Sequence, residues 1–196
     1  MLSAVAPRAR LASLRALGEI AERRPWLLWL GAGLVFAFDA VWHLYDLPRE
    51  LAAVLDASAH AFTALMLLGY RGVSNSRRIP VAAALGAVLI DLDHVPGELG
   101  YAFLTAGTNR PYSHSLAVLG GLGLVACLLP RRGRSIGLAV WFGIATHLLR
   151  DLATGGVPLW WPASPRRVAA PYALYAILLL VGVGLSVSRR RGRLTG

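Results

Sequence analysis

The chain has 196 residues, 56% of them hydrophobic and 15% charged, with a mean hydropathy of +0.56. Soluble domains carry about 25% charged residues, so this composition excludes an ordinary water-soluble domain and points to a membrane. The net charge of +10 comes from arginine in short clusters between apolar runs, without a recognised DNA- or RNA-binding motif, which argues against a nucleic-acid partner.

Residues 1–24 carry Arg8, Arg10, Arg15, Arg23 and Arg24, with Leu11, Leu14, Leu17 and Ile20 at helical spacing. The pattern predicts a short interfacial helix on the anionic cytoplasmic leaflet. A cleaved signal peptide fits less well, because the basic region is long and the next apolar run contains Asp39. Six apolar segments follow, at 25–45, 51–70, 79–92, 113–129, 136–152 and 170–187. A spanning helix needs about 20 residues. The third run reaches that length only if Asp91, Asp93 and His94 lie on its last turn. The residues therefore predict an all-α, polytopic membrane helix bundle of about six spans over 25–187, with a basic cytoplasmic tail at 188–196.

Arginine placement predicts the orientation. Arg8 to Arg24 precede the first run; Arg71, Arg77 and Arg78 follow the second; Arg131, Arg132 and Arg134 follow the fourth; Arg189, Arg190, Arg191 and Arg193 follow the sixth. All of these fall on one side, which the positive-inside rule makes cytoplasmic, with both termini. Trp42, Tyr45, Trp160 and Trp161 mark the outer interface, and Trp26 and Trp29 the inner one. The single cysteine, Cys127, reads as a small buried hydrophobe. Gly120, Gly121, Gly123, Gly182 and Gly184 read as close helix contacts.

The ionisable residues inside the runs gather at the outer ends. Asp39 and His43 end the first, Asp91, Asp93 and His94 the third, and His147 and Asp151 the fifth, while His114 opens the fourth. His60 lies ~13 Å below the outer start of the second at 1.5 Å per residue. Ionisable groups are costly in a membrane and mark working sites. Asp56/His60 and His147/Asp151 are four apart and Asp91/His94 three apart, so each pair shares a helix face. Imidazole and carboxylate are ligands for divalent metals, so His60, Asp91, Asp93, His94, His114, His147 and Asp151 are the candidate metal set. His43, beside Trp42 and Tyr45, reads as an interfacial side chain, and Asp39–His43 as a buried polar pair. Asp46, Glu50 and Glu98 read as solvated loop charges.

Three segments carry a family resemblance: Leu89-Ile90-Asp91-Leu92-Asp93-His94, Asn109-Arg110-Pro111-Tyr112-Ser113-His114-Ser115-Leu116, and Thr146-His147-Leu148-Leu149-Arg150-Asp151-Leu152-Ala153-Thr154-Gly155-Gly156-Val157-Pro158-Leu159. Together with His60 they resemble the YdjM-like family of membrane-bound, metal-dependent hydrolases, also described as LexA-binding inner-membrane hydrolases. The resemblance covers residues 56–162. It implies that His60, Asp91, Asp93, His94, His114, His147 and Asp151 form the site, with one or more divalent ions, zinc foremost. It also implies a distant likeness to zinc-dependent phospholipase C and P1-type nucleases. The family often has His-Arg-Gly-x-Thr-His-Ser where this chain has Asn109 to Ser115, so its first His is Asn109 here, a weaker zinc ligand.

The reading that follows is hydrolysis of a phosphoester, with membrane lipids as surroundings and a lipid-borne phosphoester as the candidate substrate, at the extracytoplasmic face of the inner membrane. Asp91 or Asp93 would take a proton from water. Arg110 and Arg150 would clamp phosphate, or equally anchor the interface. Three alternatives stay open. Pro111-Tyr112-Ser113-His114 and His147…Asp151 are similar to motifs of metal-independent type-2 phosphatidic acid phosphatases, although that family's Lys-led first motif is absent. A metal or proton transporter would need polar groups along both halves of its spans. A non-catalytic anchor would act through its Arg-rich termini.

Overall fold

The computed structural model describes residues 26–75, 77–105 and 110–194, and within them the chain is helical throughout, apart from loops. The expected interfacial helix at 1–24 and Asn109 lie outside the described residues. Six long helices form the bundle: α1 (Trp26–Leu44), α2 (Arg49–Asn75), α3 (Arg78–Leu89), α4 (Leu116–Leu128), α5 (Arg131–Thr154) and α6 (Tyr172–Leu194).

Four segments are long and apolar enough to cross a bilayer: Trp26–Leu44, Arg49–Gly69, Arg78–Gly97 and Arg131–Thr154. The third does reach this length by carrying Asp91, Asp93 and His94 near its end, as expected. The apolar helices Leu116–Leu128 and Tyr172–Ser188 are shorter. The outer surface is apolar, with Leu30, Val54, Leu124 and Val181 exposed, as lipid contact requires. Cys127 is exposed on α4, not buried as its apolar run suggested.

Small residues set the packing. A Cβ on Gly143 of α5 would collide with the Ala83 carbonyl of α3 and lie 2.8 Å from the Ala87 nitrogen. A Cβ on Gly86 of α3 would collide with the Val140 carbonyl of α5. The two backbones therefore touch, which only glycine allows; this is how membrane helices gain packing without a hydrophobic drive. Among the glycines expected at contacts, Gly123 does lie against Trp141 and Gly182 against Leu67, but Gly120 and Gly121 face open space.

A second core joins α1, α2 and α6 through Leu28, Ala32, Val35, Ala59, Met66, Leu179 and Val183. Gly69, at φ 64°, kinks α2 where it passes Ser186 of α6. α2 touches α1, α3, α5 and α6, and α5 touches α2, α3, α4 and α6, so these two helices form the centre of the bundle.

The ends nearest His60 are ordered by loops and caps. α3 tightens at its end into a 3₁₀ segment, Ile90–His94, followed by the one-turn helix Val95–Glu98. At three residues per turn, Asp91 and His94 eclipse. Ser115 caps α4 by accepting a hydrogen bond from the Val118 N–H at 3.4 Å. The loop after α5 folds back through paired bonds between Val157 and Val168, at 2.8 and 2.9 Å. The Tyr112 and Trp161 rings stack across it, 4.7 Å apart.

Candidate metal centre

The close α3–α5 crossing positions the first ligand. One turn beyond Gly143, the His147 Nδ1–H donates to the Ala87 carbonyl of α3 at 2.7 Å. A carbonyl only accepts, so the neutral ring carries its proton on Nδ1 and turns the Nε2 lone pair inward. His147 Nε2 lies 3.1 Å from His114 Nε2, 3.4 Å from Asp91 Oδ1 and 3.2 Å from Asp151 Oδ2. His114 Nε2 in turn lies 3.6 Å from Asp91 Oδ1 and 3.4 Å from Asp151 Oδ2. These atoms make two triangles sharing the His114–His147 edge. Two ligands bonded at ~2.0–2.1 Å to a tetrahedral ion sit about 3.3–3.4 Å apart. Each triangle thus has the dimensions of one face of such an ion's coordination shell.

Two further groups flank the triangles. His60, His147 and Asp151 form a deeper set, with His60 Nε2 at 3.4 Å from Asp151 Oδ1 and its ring stacked on His147 at 3.7 Å. Asp93, His94 and His114 form an outer set, with His94 Nε2 at 3.8 Å from Asp93 Oδ1 and His114 Nδ1 at 3.5 Å from Asp93 Oδ2. Asp56 approaches His60 Nε2 at 3.6 Å and groups with His60 and Asp91. The seven residues expected as ligands therefore meet in one cluster, although they come from α2, the end of α3, the start of α4 and α5.

The donor set fits a divalent cation. His60, His114, His147 and Asp151 are fully buried, and the nearby positive charges belong to arginine, which is never a ligand. Asp93 Oδ1, His94 Nε2 and Asp151 Oδ1 are buried without a hydrogen-bond partner among the described residues. Unsatisfied buried lone pairs are rare in proteins, and an ion is a standard reason for them. Four overlapping groups of three His and Asp residues could each hold a metal ion.

Arginine placement departs from expectation. Arg150 is 1% exposed, and its two terminal nitrogens already hold carboxylates: Nη2 donates to Asp39 Oδ1 at 2.5 Å and Nη1 to Asp56 Oδ1 at 2.6 Å. These partners lie on α1 and α2, and Nη1 also donates to His60 Nε2 at 2.9 Å, so Arg150 borders the deeper group. Asp39 correspondingly pairs with Arg150, and it also accepts from the Tyr172 hydroxyl at 2.6 Å. His43 is exposed beside Trp42, so the pairing read from the Asp39–His43 spacing does not form. Arg110 pairs with Asp151 Oδ2 and packs against Gly155, at the rim.

Several contributors were not assigned a role from sequence, although Ser113 lies within a motif segment. Ser113 donates to Asp93 Oδ2, the Thr63 and Tyr175 hydroxyls pair at 2.6 Å, and Tyr172 holds Asp39. Hydroxyls are unremarkable in apolar helices, and only the three-dimensional arrangement gives these a role. Asp56 was visible as the partner of His60 at four residues, but its pairing with Arg150 was not.

No curated protein and no solved structure shows a significant match to the chain. A family model described as YdjM inner membrane protein matches residues 55–195, from within α2 to the end of α6 and across every candidate ligand, so the chain belongs to the YdjM inner membrane protein family.

Proposed function

We propose that this protein is a membrane-bound, metal-dependent hydrolase that cleaves a phosphoester, with its site at the extracytoplasmic face. The observation that carries the reading is the pair of triangles at His114, His147, Asp91 and Asp151, with edges of 3.1 to 3.6 Å. Three protein ligands and an open fourth position are the usual form of a catalytic zinc site. A bound divalent ion supplies Lewis-acid chemistry there, bringing the ionisation of water toward neutral pH and neutralising phosphoryl oxygens.

The chain's own residues supply the rest. His147 is held by the Ala87 carbonyl and His114 by the Ser113–Asp93 pair, so both rings are fixed before any ligand arrives. Asp91 and Asp93 lie toward the open side, where one of them takes the proton from water. Arg110, at the rim on Asp151, is the cation that meets a phosphate. Arg150 holds Asp39 and Asp56 instead.

Access favours a lipid-borne substrate. His94 and Asp91 are the most open of the proposed ligands, at 34% and 31% side-chain exposure, while His60, His114 and His147 are closed off. Leu89, Leu92 and Val95 are exposed on the same stretch, so the opening is edged by apolar side chains. An arrangement with all six helices in the membrane and both termini cytoplasmic agrees with the arginine distribution and puts this opening at the outer leaflet.

The test is elemental analysis of the purified full chain, wild type beside His147→Ala, with phosphoester hydrolysis measured in parallel. Near-stoichiometric metal in wild type, lost in the variant, together with hydrolysis abolished by chelation and restored by zinc, is the expected result. Hydrolysis that survives exhaustive chelation would replace this reading with a metal-independent phosphatase. Metal uptake into vesicles without hydrolysis would replace it with a transporter.

A further inference from the structure

Asp39 is a buried carboxylate on a helix that contributes no proposed ligand, and α1 precedes the family-matched residues 55–195. A carboxylate there is costly unless it is paired. It accepts from Arg150 Nη2 at 2.5 Å through one oxygen and from the Tyr172 hydroxyl at 2.6 Å through the other. The guanidinium is a rigid planar fork, so gripping Nη2 fixes where Nη1 points. Nη1 reaches Asp56 Oδ1 at 2.6 Å and His60 Nε2 at 2.9 Å.

The consequence lies in what stands nearby. His60 Nε2 is 3.4 Å from Asp151 Oδ1, an oxygen without a hydrogen-bond partner among the described residues. Both residues belong to the deepest candidate ion group. A guanidinium released from α1 has an acceptor to move to, and it is Asp151. A cation in that position competes directly with a metal ion, and one left without its counter-charge repels a metal ion even where it stands.

We propose that Asp39 is a positioning residue of the metal centre: it holds and neutralises Arg150 on the α1 side, where Nη1 meets His60, and keeps that charge from moving on to the oxygens of Asp151. This rests on the metal reading above. It makes α1 a working part of the site and not merely an anchor.

Cobalt(II) affinity of the full chain in detergent, measured by chelator competition and by the visible ligand-field spectrum, tests it. Asp39→Asn keeps the shape and removes the charge; affinity is expected to fall about 10- to 100-fold, the usual effect of losing a residue that supports metal ligands. Adding Arg150→Gln to Asp39→Asn removes the displaced cation, and most of the lost affinity is expected to return. His43→Ala, one turn along α1 and exposed, is expected to change nothing. Unchanged affinity in folded Asp39→Asn overturns the proposal, as does a loss that Arg150→Gln does not recover, since a purely structural defect would deepen. If Asp39→Asn fails to fold, Tyr172→Phe decides: a loss of several-fold supports the proposal and no loss overturns it. A wild type that binds no cobalt removes the metal reading itself, and this inference with it.

Discussion

Arg150 and Asp151 are neighbours in the chain yet serve different partners, because adjacent helical residues point about 100° apart. Asp151 faces the imidazoles, while Arg150 faces Asp39 and Asp56. Sequence placed both beside His147 and could not separate their directions, which is why Arg150 read as a phosphate clamp. The clustered His and Asp were legible for a simple reason: such residues in apolar runs have few roles cheap enough to keep. Tyr172 and Thr63 were not, since a hydroxyl costs little in a helix and gives no sign of its partner; Ser113 lay inside a motif segment, but its bond to Asp93 could not be read there. Arg150→Met should destabilise the fold by about 3–5 kcal/mol, because buried Asp39 and half-buried Asp56 lose their shared counter-charge. Thermal unfolding in detergent measures it, and a loss under about 1 kcal/mol would mean that water already reaches the Asp39–Asp56 gap.

Among the elements, α3 and α5 decide whether the centre exists. Their contact is backbone on backbone at Gly86 and Gly143, and the His147–Ala87 bond is made one turn away. Gly143→Val should force the helices apart at a cost of about 1–3 kcal/mol and detach His147 from its carbonyl. The expected result is a lower melting temperature together with loss of bound metal. Gly120→Ala, into open space on α4, should leave both unchanged or raise stability slightly, by about 0.5–1 kcal/mol. Helix positions were readable from hydropathy. The glycines that matter were not singled out, because a glycine's neighbour lies on another helix. The switch of α3 to a 3₁₀ helix at Ile90 also had no local marker, although it brings Asp91 and His94 directly above one another.

For the molecule as a whole, the sidedness of the bundle is open to a direct measurement. In a Cys127→Ala background, Ala163→Cys in the exposed loop after α5 should react with a membrane-impermeant thiol reagent in intact cells; protection until lysis would invert the proposed topology. Saturating the centre should also stabilise the whole fold, by about 2.7 kcal/mol at a hundredfold excess over Kd, read as a rise in melting temperature that a chelator reverses. The polar groups gather toward one end of the bundle, and below them residues 26–38, 61–69, 79–90 and 135–146 carry no Asp, Glu, His, Lys or Arg. That lower half is a dry dielectric slab. It offers protons and cations no stepping stones, so the chain should be an electrical insulator, leaving the resting conductance of its membrane unaltered.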